Sequence, residues 1–181
     1  MSDGYGKKIG QAIRAVQQMH SDSSRLLLDL DRIMHGWECL YGAYVANDIP
    51  STVARGRFMA EGLYRHYSLP QHPTRVVALN LCFFDATKPS LLAEPLLVAA
   101  ELNYELQGPM KSAGREWDPW TAFFGWIDRP NDGELITLES PECFPRKLSA
   151  RLLASPLYDV KGSDHLRELI AKVCSIPLPG S

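Results

Sequence analysis

Two runs of strand-forming residues within 75–105, RVVALNLCFFDATKPSLLAEPLLVAAELNYE, constrain this chain more than any other stretch. In the first, Val77, Leu79, Leu81 and Phe83 alternate with Val76, Ala78, Cys82 and Phe84, and Asn80 is the single polar member. A strand that is apolar on both alternating sets has to be covered on both faces, so this run predicts the centre of a buried sheet. The second run alternates more cleanly, with Leu96, Val98, Ala100, Leu102 and Tyr104 opposed to a set that ends in Glu101, Asn103 and Glu105. The expectation here is one core face and one polar row. A short loop containing Lys88, Pro89 and Ser90 joins the two runs.

Upstream, residues 7–40 keep an apolar rhythm of fours and threes through Ala12, Val16, Met19, Ser23, Leu26, Leu30, Ile33, Trp37 and Leu40. That rhythm is a helical stripe, and it fits a heptad seam except at Ser23. Poor helix formers at 21–24 and Gly36 near the end predict two helices or one kinked helix. The stripe packs either on the protein's own sheet, the commoner arrangement, or on a second copy or partner. A turn at 47–52 predicts a further amphipathic helix over 51–67, with Val53, Ala60, Leu63, Tyr64 and Tyr67 inward. Pro70 and Pro73 then end it and lead into the first strand.

Past the strand pair, the Gly-, Pro- and charge-rich segment 107–119 reads as a long loop, of a length more often functional than merely connecting. Residues 120–127 and 134–138 flank the turn signal DRPNDG and predict a hairpin. Pattern leaves 147–155 open between helix and strand. Residues 156–160 predict a last short strand, and Ser163 caps a closing helix whose apolar face is Leu166, Leu169, Ile170 and Val173. The fold class that follows is α+β. A mainly antiparallel sheet of about four or five strands carries N-terminal helices and a C-terminal helix, in a single domain with a helical region at 1–46 and a sheet-containing core at 47–181.

A chain of 181 residues buries a core without staples, so size gives no reason to invoke a metal. The formal charge of −2 and the lack of long like-charge runs give no sign of a nucleic-acid or membrane surface. Cys39, Cys82, Cys143 and Cys174 lie far apart with no C-x-x-C spacing, which predicts reduced, mostly buried thiols. The start MSDGYGKKIG has no apolar signal core, and no segment nears the ~20 apolar residues of a membrane span. A cytoplasmic protein is therefore expected.

Three groups of residues carry candidate chemistry. Asp85, Glu94 and Glu101, with Glu105, could converge from neighbouring strands to hold Mg²⁺ or Mn²⁺ for a metal-dependent hydrolase. The arrangement resembles the strand-borne acids of metal-dependent nucleases, but Asn103 stands where a lysine two residues after the acid is expected. Solvent-facing acids along a strand are the commoner explanation. The loop Arg115, Trp117, Asp118 and Trp120 combines the side chains that dominate recognition surfaces, or else folds back over the sheet edge. Arg55, Arg57, Arg65, His66 and His72 could meet an anion, although Arg55 and Arg57 do not share a helix face. The P-loop, the dinucleotide fingerprint, G-x-S-x-G and H-E-x-x-H are all missing. The function expected is non-enzymatic, presenting the Trp117 loop or the N-terminal helices to a protein partner or to a second copy, with the metal-dependent hydrolase as the alternative.

Overall fold

The computed structural model describes residues 3–40, 46–47, 62–83, 94–105, 133–139 and 148–179. The helical stripe forms one continuous helix, α1 (Asp3–Ile33), whose 31 residues span roughly 46 Å. The break or kink expected at 21–24 does not occur. A serine costs a helix interior only about half a kcal/mol relative to alanine, and Ser24 donates its hydroxyl back to the His20 carbonyl at 2.9 Å. Gly36, with φ 88°, then turns the chain off the helix axis.

Seven strands among the described residues make one antiparallel sheet: β1 (Glu38–Cys39), β2 (Ala46–Asn47), β3 (Gly62–Leu69), β4 (His72–Cys82), β5 (Leu96–Tyr104), β6 (Leu135–Glu139) and β7 (Leu148–Pro156). Six follow the order β1-β3-β4-β5-β7-β6, and β2 also pairs with β3. The sheet is thus wider than the four or five strands expected. By Glu38 the chain already pairs with β3, opposite Ser68, so the sheet begins within the region assigned to helices.

The helix expected over 51–67 is overturned in its described part, since Gly62 to Leu69 form β3; residues 51–61 lie outside the described residues. Leu63, Arg65 and Tyr67 alternate with Tyr64, His66 and Ser68, a period of two with β-favouring aromatics. Leu63, Tyr64 and Tyr67 also fit a helical face, and that coincidence hid the strand. The prolines expected to end a helix instead lie around the β3–β4 turn, where Leu69 pairs with His72. Residues 148–156 resolve to strand. The strand expected at 156–160 is a 3₁₀ turn, Leu157–Asp159: Leu157 still donates its N–H to the Pro95 carbonyl at 2.8 Å, and Val160 then donates back to the Leu157 carbonyl at 3.3 Å and closes the turn. Of the expected hairpin, β6 is present, while its partner segment 120–127 lies outside the described residues.

One face of the sheet, bearing Val77, Leu79, Leu81, Leu97 and Leu153, packs against α1 and the closing helix α2 (Ser163–Val173). All four residues expected to face inward from α2 are buried. Its N-cap is Gly162, with φ 90°, one residue earlier than expected. The opposite face, with Val98, Ala100, Leu102 and Leu152, is equally buried. Both faces of β4 are therefore covered, as its sequence requires.

Gly62 opens β3 where the ladder leaves no room: a Cβ there would meet the Leu81 carbonyl oxygen at 2.7 Å. Gly62→Ala should force the β3 and β4 backbones apart and destabilise the fold by about 1–3 kcal/mol. An unchanged urea midpoint would contradict this close approach.

Candidate interaction surface

Helix α1 has two halves with different surroundings. In the second, Leu27, Leu30, Ile33 and Met34 are buried in the sheet-facing core. Asp31 completes the attachment, accepting the Tyr67 hydroxyl hydrogen bond and pairing with Arg65 Nη2 at 3.1 Å. Burial, together with the Asp31 carboxylate, pushes the Tyr67 phenol well above its usual range, so it stays a donor. The ring of His20 meets Phe83 edge-on at 5.7 Å, near where the helix first reaches the body.

N-terminal to that point the helix is bare. From Gly4 to Gln18 every residue is exposed except Gly10 and Val16, which are half-buried. Tyr5, Ile9 and Ile13 are exposed to 72%, 45% and 54%. These are not scattered positions. Tyr5, Ile9, Ala12 and Val16 continue, turn by turn, the stripe whose later members lie in the core. Sequence reading stopped the stripe at Ala12; stepping back by three and four from that residue would have found Ile9 and Tyr5.

Between the two halves lies a cavity of about 440 Å³. Met19, Asp22, Ser23 and Leu26 form its α1 wall, and Pro95 and Leu157 stand opposite. The Ser23 hydroxyl is buried there with no hydrogen-bond partner. A buried hydroxyl left this way costs about 1–3 kcal/mol.

The acidic candidates do not form an open row. Glu101 is 0% exposed. Its carboxylate accepts the Ser175 N–H at 3.1 Å and the Ser175 hydroxyl at 2.8 Å. Arg75 Nη1 donates to the same hydroxyl at 2.8 Å, and Arg151, directly opposite Glu101 on β7, donates Nη2 to the Lys172 carbonyl at 3.2 Å. Burial, followed by the Glu101 charge, pushes the neighbouring Cys174 thiol up to about 12, so it is an inert thiol at neutral pH. The solvent-facing row expected on β5 is corrected accordingly. α2 and the segment after it cover that face, which leaves Asn103 half-buried and only Glu105 exposed.

Glu94 lies just before β5, and five residues of strand, about 17 Å, separate Leu96 from Glu101. One metal ion cannot bridge these two acids; Asp85 lies outside the described residues. Among the described residues no group of three or more His, Cys, Asp or Glu side chains is placed to hold a metal ion. The anion site imagined around Arg65 and His66 also fails, because strand alternation sends the two to opposite faces of β3. Arg65 is committed to Asp31, and the His66 ring, buried on the other face, bonds to Asn80. Arg55, Arg57, Arg115, Trp117, Asp118 and Trp120 lie outside the described residues.

No helix among the described residues is long and apolar enough to cross a membrane. No protein-family model, curated protein or solved structure matches the chain.

Proposed function

We propose that this chain is a non-enzymatic interaction protein that presents the first half of α1 to a helical protein surface. The observation carrying this reading is the bare stripe of Tyr5, Ile9 and Ile13 on a helix whose second half is fixed in the core. About 16 residues of helix without tertiary support are marginal in water. Here the buried half supplies the nucleus, and the apolar face that normally stabilises a surface helix is left for something else to cover. An amphipathic helix laid against an apolar partner face is a recurrent mode of protein recognition, read through anchors at this spacing.

The pair of substitutions Ile9→Glu and Ile13→Glu tests the reading. Neither side chain is in the core, so the folded chain in dilute solution should change in stability by no more than about 0.5 kcal/mol. Association, measured by sedimentation of the purified protein and by recovery of bound protein on the tagged full chain, should be lost. Unaltered association, or a melting loss of the size seen for core deletions, would defeat the proposal.

A further inference from the structure

Resting on that reading, we infer that the surface covering the bare helix is the same segment of a second copy, antiparallel, with Tyr5 of each chain seated in the cavity beside Ser23 of the other. The stripe is self-complementary under reversal. Tyr5, Ile9, Ala12, Val16, Met19 and Ser23 follow one another by steps of four, three, four, three and four, a series that reads the same from either end. Turning an identical helix end for end therefore sets Tyr5 against Ser23, Ile9 against Met19 and Ala12 against Val16. Every layer pairs one heptad core position with the other, as interlocking side chains of opposed helices require.

The flanks agree with this register. On one side, Lys8 of each copy comes opposite Asp22 of the other. Lys8 is exposed and makes no ion pair among the described residues. Asp22 is also exposed, and within its own chain it accepts from Gln18 at 2.9 Å and lies 3.8 Å from Arg25. Its carboxylate retains acceptor capacity for a lysine. On the other side Ile13 meets its own copy across the two-fold axis, which covers the remaining large apolar side chain of the bare half. Ala12 and Ala15 near the axis keep the centre of the seam narrow, so the helices can approach to about 8 Å.

One arrangement thus accounts for two separate features. It covers an apolar stripe that ends in water, and it fills a cavity next to a hydroxyl that has no partner. The tyrosine suits that end of the stripe. Its ring is apolar, and its phenol can donate to or accept from the Ser23 hydroxyl, or donate to the Asp22 carboxylate. The contact is isologous, as in most two-fold dimers, and it closes without further copies.

The test is the solution mass of the full chain at rising concentration, combined with engineered cross-links. A dimer of twice the 20.2 kDa chain mass is expected, and it should be lost in the Ile9→Glu, Ile13→Glu variant. Lys8→Glu should weaken the dimer roughly tenfold, and adding Asp22→Lys should restore it. In the Tyr5→Cys, Ser23→Cys variant, mild oxidation should give a covalent dimer, whereas either single substitution should not. A disulfide mapped between the two substituted positions in Tyr5→Cys alone, and not to a native cysteine, means a parallel pair and overturns the inference. So does a chain that stays monomeric at every concentration. If a monomeric chain still captures another protein and loses it on Ile9→Glu, Ile13→Glu, self-pairing fails while the interaction function stands. If that variant changes nothing, both fall.

Discussion

Glu101→Ala is expected to destabilise the fold by about 3–5 kcal/mol, the cost of removing one member of a buried, charged hydrogen-bond set while its partners stay behind. The carboxylate lies in the middle of a six-strand path, wholly withdrawn from solvent, and it accepts both the backbone and the side-chain hydrogen of Ser175. Truncation to alanine orphans those two donors and leaves Arg151, opposite on β7, without the negative charge it faces. Glu101→Gln keeps an acceptor of the same length and should cost markedly less. Urea melts of the two variants measure the difference. A change under about 1 kcal/mol for alanine would mean that the carboxylate is not structural, since catalytic acids held at a stability cost tend to be neutral or stabilising when removed.

A second large effect concerns pH. His66 is buried on β3, and desolvation, only partly opposed by its hydrogen bond to Asn80, lowers its pKa from 6.5 to about 4. The folded chain thus holds a neutral imidazole where the unfolded chain takes up a proton. Stability is complete above about pH 6.5 and falls as the pH drops toward 4, by on the order of 3 kcal/mol in all. About 2 kcal/mol of that loss comes between pH 7 and 5, before most carboxylates titrate. His66→Gln should flatten this part of the profile. A slope identical to that of the parent would place the titrating group elsewhere.

Much of the fold is legible in the residues, for reasons that show where legibility stops. The doubly apolar run at 76–84 specifies a strand covered on both sides, and Leu166, Leu169, Ile170 and Val173 specify one face of α2. Both patterns have a single structural solution. Gly62 to Leu69 does not, because its apolar residues satisfy the helical and the extended period alike, and the pairing with β4 decides between them. Glu101 illustrates a different limit. Alternation correctly places it on the face opposite Leu102, but sequence does not show that α2 and Ser175 cover that face, and so a buried anchor reads as a solvent-exposed acid. The N-terminal stripe was readable as a seam, but whether it met its own sheet or another chain turned on where the sheet ends. Its second half meets the sheet and its first half lies exposed, with the change near Met19. Leu30, on the seam by sequence, is 1% exposed, so Leu30→Glu would put a charge into the core and would not report on association.

The bond between Glu101 and Ser175 joins residues 74 positions apart, and this has a consequence for the order of events during synthesis. A ribosome adding about 5–20 residues per second takes several seconds to travel from one to the other. During that interval β3, β4 and β5 can already pair as a meander, while the carboxylate on its edge strand has neither Arg151 nor Ser175 to satisfy it. Until β7 and α2 emerge, that face of the nascent sheet has to stay wet around Glu101. The same charge that later fastens the C-terminal segment therefore keeps the unfinished sheet from closing prematurely on another apolar surface, its own or a neighbour's.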